Sequence, residues 1–335
     1  CVAGINGAGK SSVLQAIALL VIKHAGALEL GQSRITSFSK EPAEFFQILG
    51  SVQTPDQEFQ RQEVFDSDAG YVKDEGLSAK HLILGYGASR NLSRVDSSFQ
   101  NISQRTRRVL SLFEPYAPLT STEIFFRSGR ETPPNFFPLL SSALNHLLAG
   151  QLPAEIEADS LRFHMPSGTV TADQLPDGYR STIAWLSDLL WNWTQEHPSS
   201  QTTLDVDALV LIDEIDLHLH PQLQRVLVPR LRELFPRVQW FVTTHSPLVL
   251  SCFDRRELIL LDSSQPSGLA PVDQQLFGLT VDQVMGHLMG VNPTGSALES
   301  PLRQTAADDD AYRELVTQIQ SPAGKDPLLS PAKVE

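Results

Sequence analysis

Residues 2–11 of the chain read VAGINGAGKS. Residues 4–11 match the pattern G-x-x-x-x-G-K-[ST] at every fixed position. Val2 and Ala3 are typical of the end of a β-strand, and residues 12–22, SVLQAIALLVI, have the apolar spacing of a helix. The alternative is a glycine-rich turn before an ordinary helix. Because strand, loop and helix follow in the order that the pattern requires, we favour a phosphate-binding loop.

The residue types in this loop suit the binding of phosphate groups. Its glycines allow positive φ and close approach of the backbone, so successive N–H groups can point at phosphate oxygens. Lys10 would reach the β- and γ-phosphates of a nucleotide, and the Ser11 hydroxyl would bind Mg²⁺. We expect these residues to contact the nucleotide: Gly4, Asn6, Gly7, Ala8, Gly9, Lys10, Ser11 and Ser12.

The chain begins close to this loop, with only three residues before the first glycine. A strand needs several residues and a sheet partner. We therefore expect the natural protein to start earlier, with one or two further strands, and an N-terminal targeting segment stays open.

The composition narrows the class of protein. The chain has 335 residues, of which 41% are hydrophobic, and no apolar run approaches the roughly 18 to 20 residues that span a bilayer. Cys1 and Cys252 form no disulfide framework and no metal-ligand spacing, which suits a reducing cytoplasm. A net charge of −13 argues against a surface that binds nucleic acid throughout. We expect a cytoplasmic protein with no membrane partner.

Apolar runs and helical patterns alternate along much of the chain, which predicts an α/β sheet with crossover connections. A β-hairpin is predicted within residues 154–175, with its turn at Pro166–Gly168, and mixed polar strands or loops at 30–78. Short buried strands are predicted at about 80–86, 207–212, 238–242 and 257–261. Helices are predicted at 12–22, 120–126 (capped by Ser121 or Thr122), 136–150, 179–193 and 221–235.

Two acids, Asp213 and Glu214, follow the strand ALVLI at residues 208–212. Open α/β sheets place their ligand sites at this end of a strand. Asp213 would hold the Mg²⁺ hydration shell, and Glu214 would polarise the attacking water as the catalytic base. Two solvated acids are the alternative, but the phosphate loop in the same chain favours a catalytic pair.

About 200 residues separate Lys10 from Asp213, which is more than a compact phosphate-loop domain needs. The order of motifs resembles that of an ABC-type ATPase, in which a helical lobe is inserted between these two sites. LPDGYRS at 175–181 resembles the signature loop of that class, and TTHSP at 243–247 resembles its switch-histidine segment. LIDEIDLHLHP at 211–221 resembles the acidic strand and D-loop of the RecF/OLD-like branch.

Together with GYGASR at 85–90, these motifs resemble the AAA_21/OLD-like group, which is related to RecF and SMC proteins. The resemblance covers roughly residues 1–260. Members of that group occur in anti-phage defence, including the ATPase subunits of retron and Septu-type systems. The resemblance implies an ABC-ATPase-type P-loop NTPase sheet with an inserted helical lobe that carries the signature loop.

The resemblance also implies how the protein works. It implies an ATP- and Mg²⁺-dependent homodimer in which hydrolysis controls an effector protein, a nuclease or other, in defence or DNA maintenance. His245 would sense the γ-phosphate as a catalytic residue. The signature residues expected to contact ATP across the dimer are Asp177, Gly178, Tyr179 and Arg180.

Two departures from the ABC pattern stand out. No Q-loop glutamine is evident after Lys10, and Gly85-Tyr86-Gly87 marks the place where one is expected. The signature has Asp177 and Tyr179-Arg180 where transporter subunits carry Ser-Gly-Gly-Gln. An ordinary turn and helix cap is the alternative for LPDGY, although its position 35 residues before Asp213 favours a signature.

Several other groups have more than one interpretation. His218 and His220 could form a metal pair, but we favour D-loop residues at a dimer interface; His245 could be an ordinary strand-end histidine. Asp308–Asp310 lie in a tail that we expect to be solvated, a short helix followed by disorder. Five arginines could bind nucleic acid or lie on a solvated helical face: Arg90, Arg94, Arg105, Arg107 and Arg108.

These patterns predict four regions. Residues 1–90 would form the first part of the ATPase core, and 91–178 the inserted lobe with its hairpin and signature loop. Residues 179–300 would complete the core, and 301–335 would form the tail. The competing functions are the ATPase subunit of an ABC transporter and a nucleotide-dependent scaffold that does not hydrolyse ATP.

Overall fold

The structure is a computed structural model, and it divides into two units, residues 1–279 and 280–335. The second unit is described only as helix α7, Val281–Met289. In the first unit the described ranges are 1–4, 7–30, 45–53, 58–66, 70–71, 82–90, 102–115, 117, 119, 133, 135–148, 154–157, 160–165, 168–197, 208–262, 264–265, 267–272, 276 and 279.

The elements of the first unit follow the alternation that the sequence predicts. Its helices are α1 Lys10–Leu30, α2 Gln104–Arg107, α3 Phe136–Leu147, α4 Asp177–Glu196, α5 Pro221–Leu234 and α6 Pro247–Leu250. Its strands are β1 Val2–Gly4, β2 Phe45–Gln53, β3 Glu58–Asp66, β4 Gly70–Tyr71, β5 Leu82–Tyr86, β6 Ala154–Glu157, β7 Ser160–Met165, β8 Gly168–Thr171, β9 Ala208–Ile212, β10 Val238–Val242, β11 Ile259–Leu261 and β12 Leu269–Ala270.

Strands that pair in parallel form the centre of this unit. Strand β9 lies between β10 and β5 and is parallel to both, and β1 pairs in parallel with β11. A parallel bridge between Val2 and Thr243 joins the two groups of strands. Strands β5 and β9 are short and consist mainly of Leu, Ile and Val, and every residue of β5 is buried, as expected where both faces of a strand are covered. The prediction of an α/β sheet is therefore confirmed.

The register of the sheet aligns three strand ends. Tyr86, Ile212 and Val242 are neighbours across β5, β9 and β10. The residues that follow these strands therefore leave the sheet at one level. Thr243, the residue after β10, is also bridged to β1, which leads into the phosphate loop. This edge of the sheet collects the segments that the sequence singles out.

Side chains along β5 and β9 alternate between two apolar cores, because successive strand residues point to opposite faces. The α1-side core contains Ile83 and Leu211 together with apolar residues of α1 such as Leu14 and Leu19. The α4-side core contains apolar residues of α3, α4 and α5 and these strand residues: Leu82, Leu84, Tyr86, Val210 and Ile212. Helices α1 and α4 therefore cover opposite faces of β5 and β9.

Two small antiparallel sheets lie outside this centre. Strands β2, β3 and β4 form one of them, within the region predicted as strands or loops. The predicted hairpin is β7–β8, and β6 adds a third strand to it by pairing with β7. The prediction missed β6. The predicted helix at 120–126 with its cap, and the tail from 306, lie outside the described residues.

Two predicted helices have nearly the expected bounds. Helix α4 begins at Asp177, two residues before the predicted start, and α5 begins with Pro221 in its first turn. Within the described part of the chain, no helix combines the length and hydropathy of a membrane span.

Candidate functional site

The phosphate loop connects β1 to α1. Gly7 and Gly9 have φ angles of 77° and 92°, a region that glycine adopts readily and other residues avoid. The carbonyl of Gly9 accepts a hydrogen bond from the Val13 N–H at 3.0 Å, so the helix starts directly from the loop. The N–H groups at the start of a helix and the helix dipole favour an anion. Asn6, which the sequence assigns to the nucleotide, lies outside the described residues.

Lys10 is buried at the start of α1. Its Nζ donates a hydrogen bond to the Gly4 carbonyl at 3.0 Å, which folds the side chain back along the loop. Burial lowers the pKa of Lys10, while the carboxylates of Asp213, Glu214 and Asp216 act in the opposite direction. The lysine therefore lies in the electrostatic field of the acidic segment after β9.

Ser11 and Asp213 meet although 202 residues separate them in sequence. The Ser11 hydroxyl donates to Asp213 Oδ2 at 2.7 Å. The Asp213 carboxylate is held from the other side by the Thr243 hydroxyl, which donates to Oδ1 at 2.5 Å. The Asp213 N–H donates to the Tyr86 carbonyl at 2.8 Å. A hydroxyl and a carboxylate oxygen are the hard ligands that Mg²⁺ prefers, so these residues fit the ion.

Glu214 has an unusual backbone conformation. Its φ is 48°, a region in which a non-glycine residue costs energy and which often marks a functional site. Its N–H donates to Thr243 Oγ1 at 2.7 Å. Its carbonyl accepts from Arg90 Nη2 at 2.6 Å and from the Leu217 N–H at 3.0 Å. These bonds fix the peptide groups on both sides of the side chain expected to act as base.

Three polar residues follow β10 at the same edge of the sheet. Thr243 is fully buried between Asp213 and Glu214, as described above. The Thr244 hydroxyl donates to the Asp216 carboxylate, and it also accepts the Ser246 N–H at 2.9 Å. His245, which lies between Thr244 and Ser246 in the sequence, is half-buried. Sequence reasoning assigned a role to His245 but missed the two threonines, although polar residues after a neighbouring parallel strand are the signal for them.

The signature-like loop begins helix α4. Arg180 Nη1 pairs with Asp177 Oδ1 at 3.2 Å on the exposed side of the first turn. Gly178 is buried, and a Cβ at this position would lie 2.2 Å from the carbonyl oxygen of His218. Glycine is therefore required here by packing within one chain, a constraint that the sequence did not reveal. Tyr179 is half-buried in the same turn.

His218 and His220 have different surroundings. The His220 ring caps helix α5, because its Nδ1 accepts the Gln222 N–H at 3.4 Å. His218 has a positive φ of 61° and borders a cavity of about 240 Å³. Residues of the signature-like loop and of the segment after β5 complete its lining: Ala88, Ser89, Arg90, Asp177, Arg180, Ser181 and Leu217. No group of three or more His, Cys, Asp or Glu side chains in the described ranges could hold a metal ion.

The described arginines of the basic stretch from Arg90 to Arg108 differ in their surroundings. Arg90 is buried, and the Arg105 guanidinium donates to the Val21 carbonyl at 2.6 Å. Arg108 donates to Asn192 Oδ1 at 2.9 Å and to Glu196 Oε1 at 2.6 Å. Arg107 is exposed, and Arg94 lies outside the described residues. Neither alternative, a nucleic-acid surface or a solvated helical face, applies to Arg90, Arg105 and Arg108, because each guanidinium donates hydrogen bonds to other parts of the protein.

The segment expected to replace the Q-loop packs closely against the turn at Leu110–Leu112. The Gly87 N–H donates to Ser111 Oγ at 3.2 Å, and a Cβ at Gly87 would lie 2.0 Å from the Ser111 carbonyl oxygen. This packing carries the chain from Tyr86 to Arg90. Arg90, which the sequence placed in the motif GYGASR and in the basic stretch but gave no role beside Glu214, donates to the carbonyl of Glu214.

Two known proteins are similar in sequence to parts of this chain. Septu protein PtuA of Bacillus mycoides (strain KBAB4) is 28% identical over 275 residues, which are 78% of this chain and 36% of that protein. "Retron Ec83 probable ATPase" of Escherichia coli is 42% identical over 92 residues, 28% of this chain and 17% of that protein. The chain therefore spans about a third or less of the length of these two relatives.

Among solved structures, the SMC head domain from Thermotoga maritima aligns with 82% of this chain and 89% of that chain. The two are 14% identical, with a TM-score of 0.45. The AAA_21 family, described as "AAA domain, putative AbiEii toxin, Type IV TA system", matches residues 23–251. Because this match covers more than half of the chain, the chain belongs to the AAA_21 family.

Proposed function

We propose that this chain binds ATP with Mg²⁺ and hydrolyses it. The hydrogen bond between Ser11 and Asp213 carries the proposal, because it joins the phosphate loop to the acidic strand end. Few functions other than nucleotide binding require a serine after a glycine-rich loop to meet a strand-end aspartate. Residues 91–178 are, in this proposal, the lobe inserted between the two halves of the ATPase core.

Each residue has a chemical task in this proposal. Backbone N–H groups of Gly7, Ala8 and Gly9 and of the first turn, with Lys10 and Ser12, bind the β- and γ-phosphates. Ser11 and Asp213 would hold Mg²⁺, which would neutralise negative charge on the phosphate oxygens. Glu214 accepts a proton from the attacking water, and His245 donates a hydrogen bond to the γ-phosphate.

We further propose that ATP joins two copies of the chain. Helices α1 and α4 cover opposite faces of the sheet, which supports a site shared between copies over one closed within a copy. The phosphate loop of one copy would face the signature-like loop of the other, at Asp177, Gly178, Tyr179 and Arg180. Two such sites related by a two-fold axis make the interface isologous.

The relatives named Septu protein PtuA and retron ATPase support a role in anti-phage defence. In this role, ATP-dependent closure of the dimer would control an effector protein in the cytoplasm. The activity of the effector would differ between the closed and the open state of the dimer. Nucleic acid binding through the basic stretch is not part of the proposal.

Lys10→Ala tests nucleotide binding. Calorimetry of the purified protein should show ATP binding that requires Lys10, because backbone donors alone hold phosphate charge weakly. Unchanged ATP affinity in Lys10→Ala would remove the phosphate loop from the proposal.

Glu214→Gln tests hydrolysis. The variant should bind ATP normally but release phosphate at least about a hundredfold more slowly, since loss of a general base typically costs 10²–10⁴. Glu233→Gln, at an exposed glutamate near the end of α5, is the matched control. Phosphate release near the wild-type rate in Glu214→Gln would exclude Glu214 as the base.

A further inference from the structure

Arg90 is a buried charge beside the acidic strand end. It is 4% exposed, and its Nε and Nη1 have no hydrogen-bond partner in the described part of the chain. A buried cation is costly unless nearby groups of opposite charge compensate it. Burial lowers the pKa of Arg90 to about 10, and the carboxylates of Asp213, Asp216 and Glu214 counteract this shift. Arg90 is therefore a cation at neutral pH.

Among the described residues, the guanidinium makes one hydrogen bond, to the main chain of the expected base. Arg90 Nη2 donates to the Glu214 carbonyl at 2.6 Å. A charged donor makes such a bond short and strong. The same peptide unit also accepts the Leu217 N–H, while the Thr243 hydroxyl holds the Glu214 N–H. The backbone at Glu214 is thus bound from three directions.

We call these three hydrogen bonds the Glu214 clamp. They hold the backbone of Glu214 at a φ of 48°. A residue held in a sparsely populated conformation keeps it only when its surroundings over-determine it. The direction of the Glu214 side chain follows from this backbone conformation. Releasing the carbonyl would let the residue relax and move the carboxylate.

We propose that Arg90 is a positioning residue, whose guanidinium holds the Glu214 carbonyl and thereby aims the carboxylate at the attacking water. The inference rests on the proposed hydrolysis of ATP. Arg90 also borders the cavity shared with Asp177, Arg180 and His218. The Glu214 clamp therefore lies between the signature-like loop and the base.

Single substitutions at Arg90 give the first test of this role. Arg90→Met, which keeps an apolar stem but no donor, should lower kcat about 10- to 100-fold, since small misplacements cost rates of that order. The Kd for ATP should stay within about threefold, because the phosphate loop is intact. Arg90→Lys keeps the charge without the planar fork and should recover part of the rate. Arg107→Met, at an exposed arginine, is the matched control and should leave both quantities unchanged.

The decisive measurement combines Arg90→Met with Glu214→Gln in single-turnover hydrolysis. If Arg90 acts by aiming Glu214, its loss should change the already slow rate less than about twofold in the Glu214→Gln background. A full multiplicative loss in that background would mean that Arg90 acts independently, and the inference would be overturned. An unchanged kcat in Arg90→Met, or a loss of ATP affinity alone, would overturn it too.

Thermal unfolding and ATP binding of each variant separate misfolding from misplacement. If Arg90→Met does not fold, Arg90→Lys replaces it in both backgrounds, with a severalfold loss expected only where Glu214 is present. A wild-type protein that binds ATP but never releases phosphate would refute the proposed hydrolysis, and with it this inference. Active wild type with an insensitive Arg90 would refute the inference alone.

Discussion

The helix after the phosphate loop, α1, and the helix after the signature-like loop, α4, pack on opposite faces of the same strands. On the α1 side, Ile83 and Leu211 meet apolar residues of α1, and the partly buried Gln15 Nε2 donates to the Leu112 carbonyl at 2.6 Å. On the α4 side, a polar network lies inside the core. The α4 side therefore contains a buried carboxylate, Asp188, together with its hydrogen-bond partners.

The network on the α4 side leads from the sheet edge to the far end of the helix. The Tyr86 hydroxyl donates to Asp188 at 3.0 Å, and Asn192 Nδ2 donates to the same carboxylate at 3.2 Å. Asn192 then accepts from Arg108, which also pairs with Glu196. Because Tyr86 also binds Asp213 through its carbonyl, α4 is tied to the acidic strand end by hydrogen bonds. Helix α1 is tied to it through the Ser11 hydroxyl.

The largest expected effect concerns the proposed sharing of sites between copies. Lys10→Ala disables the phosphate loop, and Arg180→Glu places a negative charge where the partner's phosphates would approach. Each variant alone should be nearly inactive. Random pairing makes half of the dimers mixed, each with one intact site of two, so mixing should restore about a quarter of wild-type ATPase activity.

Arg180→Glu is the better partner variant in this experiment than a change at Gly178. A side chain at Gly178 would collide with the His218 carbonyl of its own chain, so its effect would not report on the partner. Proven mixed dimers without any recovery would show that the faces do not cooperate across copies, or that both sites must be intact.

The next effect compares the two faces through adjacent residues of β5. Ile83 faces the α1-side core and Leu84 the α4-side core, and both are buried. Each truncation to Ala should lower the free energy of unfolding by about 2–5 kcal/mol, because both leave a cavity in a packed interior. Urea denaturation measures both values. A loss below about 1 kcal/mol for either would mean that its face is not tightly packed.

A smaller effect is expected in the polar network. Tyr86→Phe removes the donor to Asp188 without changing the packing of the ring, and should cost about 1–3 kcal/mol because a buried carboxylate loses a partner. Ser187→Ala is the matched control, since Ser187 Oγ is buried without a hydrogen-bond partner among the residues described. Its removal should cost little. Equal losses in the two variants would show that the Tyr86 bond contributes nothing specific.

The smallest effect is expected at the outer end of the same network. Glu196→Gln breaks the ion pair with Arg108, whose carboxylate partner is 33% exposed, so the loss should be about 1 kcal/mol or less. The loss should shrink further at high salt, because partly exposed pairs are screened. Glu257→Gln, in the more exposed pair with Arg232, is the comparison variant. A loss as large as that of Tyr86→Phe would place Glu196 inside the network.

The basic stretch shows where sequence reasoning failed. A run of arginines with a single acid suggested exposed charges, because the neighbours in sequence offer no partners. The partners come from elsewhere in the chain: Val21 for Arg105, Asn192 and Glu196 for Arg108, and Glu214 for Arg90. The sequence shows which residues of a segment are charged. Whether each charge is exposed depends on the residues that pack against it.

The sequence by itself determined the α/β class, and it predicted the phosphate loop and the acidic pair at the end of β9. These follow from glycine spacing, from a short run of β-branched and aliphatic residues and from a helix start, all of which are local patterns. Helix α4 and helix α5 likewise begin within two residues of the predicted positions, because proline and capping signals act over one turn.

Only the tertiary structure decided which residues meet. Thr243 contacts Asp213 and Glu214 because β10 and β9 pair in one register, and a shift of one residue would turn Thr243 to the other face. Gly178 must be glycine because the His218 carbonyl packs against it, and Arg90 reaches Glu214 because Gly87 packs on Ser111. These contacts join segments 24 to 124 residues apart, and their geometry depends on strand register and helix packing, which no local pattern encodes.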